Sequence, residues 1–291
     1  MNRLILFSLL LALTISCNKP KTDEQGGDQT DTETPQRPIL TKVWETDTTL
    51  TTNESVLYDK ERNVLFVSNI SGKPTEKDGV GFISKQGLDG SDEQLEWVKG
   101  LDAPKGMAIL NDNLYVTNID ELVEINIAEG TITNRYPVEG AQFLNDVATD
   151  GKHIYFSDMS TGKIHMMEDG QVSVFKEGIE NINGLAFNQQ GELYGLDGRG
   201  LRKFPMEDGE PEVINDVVTG GDGLVIINDN TFIASRWQGE IYLIQNGKET
   251  LLLDTKDQNS NTADIGYIPE EQLVLVPTFF ANKVVAYKLS Y

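Results

Sequence analysis

Glu54, Asn145, Asn183 and Asp222 carry the oxygen donors of this chain that are best placed for chemistry at one point. Each stands directly before an apolar run: Val56-Leu57, Val147-Ala148, Leu185-Ala186-Phe187 and Leu224-Val225-Ile226. Carboxylate and amide oxygens together suit a hard cation such as Ca²⁺ or Mg²⁺. Glu54 and Asp222 facing each other would repel, and a bound divalent ion removes that cost. With only two histidines, His153 and His165, and a single cysteine, a His-rich zinc site and thiolate ligation are both excluded. Asn-Gly and Asp-Gly, as at Asn183-Gly184 and Asp222-Gly223, most often mark tight turns. Their shared register is what sets them apart, and Glu54 has no glycine after it.

That register belongs to a repeat. Asn183-Gly184-Leu185-Ala186-Phe187-Asn188 leads to Gly191-Glu192-Leu193-Tyr194-Gly195-Leu196-Asp197, and the same phrase starts near Glu54, Gly106, Asn145, Asp222 and Asp264. From Gly106 to Asn145 is 39 residues, to Asn183 another 38, to Asp222 another 39 and to Asp264 another 42. Only the step from Glu54 to Gly106, 52 residues, is longer. A period of about 40 with several short strands per unit is the mark of a β-propeller. Six starts predict six blades and an all-β fold over residues 39–291.

The sixth blade has only three strands, at 264–268, 273–278 and 283–289. Thr41-Lys42-Val43-Trp44-Glu45 is a lone strand ahead of the first blade. It is expected to become the outer strand of the sixth blade, because an unclosed ring would leave sheet edges bare. In such a ring the innermost strands begin at the mouth of the central channel, with Glu54, Gly106, Asn145, Asn183, Asp222 and Asp264. The second strands end on the same face, with Asn69, Asn118, Asp158, Asp197, Arg236 and Phe279. Asp158 and Arg236 are therefore expected beside a substrate, with Phe279 and Trp237 shaping the pocket. The polar stretch 70–79 overhangs that face as a lid or as a tolerated insertion.

The composition narrows the partners. A formal net charge of -22 over 291 residues argues against nucleic acid and against an anionic membrane surface. Arg3, the apolar run Leu4–Ile15 and Ser16-Cys17 resemble a bacterial lipoprotein signal with Cys17 lipidated. Residues 18–38 are polar and apolar-poor and read as a flexible tether. The expectation is a protein of the cell envelope, monomeric, held to a bacterial membrane only through its N-terminal lipid.

The pattern of Glu54, Asn145-Asp146, Asn183-Gly184 and Asp222-Gly223 resembles the gluconolactonase and senescence-marker-protein (regucalcin-like) family of six-bladed propellers, across about residues 50–290. The resemblance implies one divalent ion on Glu54, Asn183 and Asp222, calcium first, with magnesium, manganese or zinc as alternatives. It implies Asn145 beside the substrate, Asp222 as catalytic base, and hydrolysis of a sugar or other small lactone. Two places depart from the family: Glu54-Ser55-Val56 stands where Glu-Gly-Pro is common, and Phe143 where animal members carry an arginine. The other reading is a non-catalytic propeller with a structural divalent ion that binds a small molecule or a protein partner.

Overall fold

The computed structural model describes residues 37–291. The signal segment, Cys17 and nearly all of the tether lie outside the described residues. Among the described residues, six four-stranded antiparallel sheets form the blades of a six-bladed β-propeller. The first five span 53–101, 104–137, 144–176, 185–215 and 224–254. The sixth holds Gly266–Ile268, Leu273–Pro277 and Val284–Ser290, completed by Ile39–Glu45. Ile39 pairs with Ser290 and Glu45 with Val285, so the expected closure by the N-terminal strand is the one observed. A single 3₁₀ turn, Lys256–Gln258, interrupts the β structure among the described residues.

The short alternating strands fold this way because each blade is apolar on both faces and must be covered on both. Every blade interface has its own buried cluster. Phe66, Ile83, Leu114 and Val123 fill the first interface, and Leu65, Leu275 and Val284 fill the interface that closes the ring. Ile233, Leu243 and Val276 do the same between the fifth and sixth blades. The outermost strands, such as Thr131–Pro137, bury little, as expected of a rim exposed to solvent.

Three bulges position the site. In the first three blades the pairing of inner and second strand slips between Asn53 and Val56, between Pro104 and Met107, and between Leu144 and Val147. Each slip contains the mouth residue, namely Glu54, Lys105 or Asn145. A bulge unpairs one residue and re-aims its side chain. In the first and third blades the backbone N–H after the mouth residue is freed by the slip and recaptured by a hydroxyl of the second strand, and in the fifth blade the same N–H meets the same partner without a slip at that point. Ser55 N donates to Ser68 Oγ at 3.0 Å, Asp146 N to Ser157 Oγ at 3.0 Å, and Gly223 N to Ser235 Oγ at 2.8 Å.

Gly184 and Gly223 are not turn glycines. A Cβ on Gly184 would stand 2.1 Å from the carbonyl oxygen of Asp222, and one on Gly223 would stand 2.3 Å from the nitrogen of Ile265. Neighbouring inner strands approach so closely at the axis that only glycine fits there.

Candidate functional site

A cavity of about 600 Å³ opens at the mouth of the channel. Glu54, Lys105, Asn145, Asn183 and Asp222 meet in its lining, one from each of the first five blades. All five are buried, with Glu54 4% exposed and Lys105 1%. Four of them are sequence-predicted site residues that the fold brings together. Lys105 is the member that sequence reasoning missed. The expected start of the second blade, Gly106, is one residue late. The signal was the phrase itself: Lys105-Gly106 has the same form as Asn183-Gly184 and Asp222-Gly223.

Asn183 Nδ2 donates to Asp222 Oδ1 at 2.8 Å, which fixes that carboxylate. Glu54 Oε2 and Asn183 Oδ1 are buried with no hydrogen-bond partner. Such atoms are costly unless something fills their coordination. Lys105 Nζ donates to Ala103 O at 3.0 Å and lies 4.6 Å from the centre of the Phe143 ring. A second polar layer lies one residue deeper. Asp146 accepts from Val147 N at 2.6 Å and Leu185 N at 2.5 Å, and Asp264 accepts from Ser55 Oγ at 2.5 Å.

The electrostatics follow from four carboxylates buried around one axis. Burial, then the charges of Asp222 and Asp264, holds the Glu54 carboxyl well above the usual carboxylate range, while Lys105 opposes the rise. Burial and the Asp264 charge push Asp222 up to about 7, although the Asn183 amide pulls it down. Asp146 is raised well above its ordinary value by burial and by Asp264, and Asp264 is raised to about 6 by burial. Burial lowers Lys105 to about 8, with Glu54 acting in the opposite direction. One lysine against four acids leaves the channel short of positive charge, which a divalent cation would supply. Among the described residues no three His, Cys, Asp or Glu side chains form a metal-holding group. An ion would rest on the mixed set Glu54, Asn183 and Asp222, whose open oxygens fit a hard cation.

Asp158 and Arg236 are not in the cavity lining. Asp158 is fully buried and accepts three backbone N–H groups, from Gln142 at 3.0 Å, Phe143 at 3.1 Å and Thr161 at 3.2 Å. Its carboxylate is spent on the loop that delivers the third inner strand. Arg236 donates to Thr219 O at 2.9 Å and Val217 O at 2.8 Å, which ties down the loop ahead of Asp222. Both hold loops of the cavity face, and their polar groups are engaged by backbone.

The upper walls are apolar. Phe143, Met159, Trp237, Phe279 and Phe280 line the cavity, with Gly72, Lys73 and Pro74 of the 70–79 stretch. That stretch is anchored to the second blade by Gly79 N donating to Asp102 Oδ1 at 3.0 Å and by the Lys77–Asp120 pair at 2.7 Å. Trp237, Phe279 and Phe280 meet edge to face, with ring centres 4.9–5.8 Å apart. Phe279 holds a left-handed backbone, with φ 49°.

Fold and mouth together define the class: a six-bladed β-propeller with a ring of polar side chains closing the floor of an aromatic-walled cavity. No protein-family model matches the chain, and no curated protein matches it. Solved structures do. It is similar to a gluconolactonase from Xanthomonas campestris, with TM-score 0.63, 16% identity, and coverage of 86% of this chain and 89% of that one. It is similar to a proposed gluconolactonase, with TM-score 0.63, 18% identity, and coverage of 88% and 93%. It is also similar to virginiamycin B lyase from Staphylococcus aureus, with TM-score 0.57, 12% identity, and coverage of 87% and 100%. At such identities the likeness is one of fold, and it includes gluconolactonase propellers.

Proposed function

We propose that this chain is a metal-dependent hydrolase of the lactonase type, opening the ester bond of a small lactone at the mouth of the channel. The observation that carries this reading is the pair of buried, unpartnered oxygens, Glu54 Oε2 and Asn183 Oδ1, beside Asp222 at the cavity floor. Glu54, Asn183 and Asp222 would hold the ion, calcium first. A divalent ion there supplies Lewis-acid polarisation of an ester carbonyl and charge stabilisation as it becomes an oxyanion.

The chain's own groups do the rest. Asp222 accepts a proton from the water that adds to the acyl carbon. The ring C–O bond then breaks, and the leaving alkoxide takes a proton, giving a hydroxy acid. Asn183 keeps Asp222 in place at the cavity lining by the 2.8 Å hydrogen bond to Oδ1. Lys105 holds positive charge at the wall, where it offsets Glu54. Asn145 lines the cavity with an amide able to orient the substrate.

The exposed aromatic rim favours a second reading, a propeller that captures a small molecule without chemistry and keeps a structural ion. The deciding experiment is hydrolysis of a lactone panel by the full chain with Ca²⁺, Mg²⁺, Mn²⁺, Zn²⁺ or chelator. Ion-dependent turnover is expected. No turnover with any ion, together with a melting temperature raised by metal, selects the second reading. Attachment to a bacterial envelope through lipid on Cys17 belongs to the same proposal, and Cys17→Ala should move the protein from the membrane fraction to the soluble one.

A further inference from the structure

The mouth is built to grip hydrocarbon. A sugar lactone carries hydroxyl groups around its ring, and each one buried needs a partner. Apart from the proposed ion-holding set, the polar side chains lining the cavity are Thr52, Lys73, Lys105, Asn145 and Gln238. Lys105 gives one of its three N–H groups to Ala103 O and lies over the Phe143 ring, and Lys73 is an exposed loop residue paired with Glu76. Few groups remain for a polyol.

The aromatic groups are arranged differently. Phe143 is held in the wall by its backbone bond to Asp158 and by the Lys105 ammonium over its ring. Met159 lies in the same wall, and methionine adapts to irregular apolar shapes. On the rim, Trp237 is 38% exposed and Phe280 53%, although they pack edge to face on the buried Phe279. Large aromatic groups left facing water at a cavity mouth mark a surface that gains by being covered. Covering them with a polyol would gain little.

Resting on the lactonase reading, we infer that the substrate is a lactone bearing an apolar or aromatic substituent. The ester lies over Glu54, Asn183 and Asp222, and the substituent lies between Phe143 and the Trp237–Phe280 rim. The cavity of about 600 Å³ has room for both.

Turnover and binding test this separately in the full chain. Hydrolysis of γ-dodecalactone and dihydrocoumarin is compared with that of δ-gluconolactone and δ-valerolactone. Expected is a kcat/KM at least tenfold higher for the apolar pair than for δ-gluconolactone. In Phe280→Ala, kcat/KM for γ-dodecalactone should fall at least fivefold more than for δ-valerolactone. Equal or better use of δ-gluconolactone overturns the inference, as does a uniform fall in Phe280→Ala. Binding is read with the lactam analogue of γ-dodecalactone, which resists hydrolysis, through quenching of tryptophan fluorescence. Quenching that disappears in Trp237→Phe supports the apolar seat, and its absence in the wild type overturns it. If no lactone turns over in any condition, the lactonase reading fails, while the lactam result still decides whether this mouth takes an apolar ligand.

Discussion

Two rings of polar residues face the same end of this propeller, and they have opposite fates. Asp222 and Asp158 are both buried aspartates, and both sit where a blade meets the cavity face. Asp158, at the end of a second strand, is saturated by three backbone N–H groups of the neighbouring loop. Asn118 does the same one blade earlier, accepting from Asp102 N and Ala103 N at 2.9 Å. Arg236 performs the role in reverse, donating to the carbonyls of Val217 and Thr219. The inner ring keeps its oxygens open, at Glu54 Oε2 and Asn183 Oδ1. The second-strand ring holds the loops that deliver the inner strands, and the inner ring keeps two buried oxygens without a partner. Burial and residue type are the same at Asp158 and Asp222, whereas their hydrogen-bond partners differ: three backbone N–H groups hold Asp158, and the Asn183 amide holds Asp222.

The sharpest way to break this contrast is to exchange the two aspartates' expected phenotypes. Asp222→Ala should cut turnover by about 10³-fold, the scale of a lost general base. The variant should stay folded and lose the metal-induced rise in melting temperature. Full activity in this variant would remove the inner ring from the chemistry.

Asp158→Ala should do the reverse. Three backbone N–H groups lose their acceptor, costing about 3 kcal/mol of stability. Activity per folded molecule should stay within a few-fold of wild type, read at a temperature where the variant is folded. Loss of activity without loss of stability would put Asp158 back at the substrate.

The second-strand ring was only half legible in the sequence. The repeat period, the six blades and the closing strand at 39–45 could all be read, because alternating apolar strands and turn residues recur at fixed spacing. The mouth residues Glu54, Asn145, Asn183 and Asp222 followed from their place before each inner strand. Lys105 was masked by counting from Gly106 rather than from the residue before the glycine. Spacing puts Asp158 and Arg236 on the correct face, but it does not say which backbone groups a side chain will meet. The aspect of Gly184 and Gly223 that mattered was also hidden. Their dipeptides resemble turns, while their role is to let two strands touch.

A smaller effect concerns pH. Asp222, raised from its ordinary 3.8 to about 7, and Asp264, raised to about 6, keep protons in the folded state that the unfolded chain has released. Raised acids contribute stability at low pH that is lost as pH climbs through the folded values. In chelator, the melting temperature should fall between about pH 4 and pH 7, by an order of 5 °C. Saturating divalent ion should flatten that slope, since it takes the place of the protons. A slope unaffected by metal would separate the acids from any ion.

The smallest effect belongs to Arg236→Ala, at about 1 kcal/mol of stability. It should leave metal binding intact, as checked by titration calorimetry. Weaker metal binding would show that the loop ahead of Asp222 needs that tie.

The pairing of Ile39–Glu45 with Val284–Ser290 also sets the timing of folding during synthesis. The first described strand has its hydrogen-bonding partner in the sixth blade, from Ile39 opposite Ser290 to Glu45 opposite Val285. Until that partner is made, the strand waits unpaired and the sixth sheet lacks its outer edge. The ring is therefore closed only once Val284–Ser290 has been made, and a chain stopped before Val284 would leave Ile39–Glu45 without its partner.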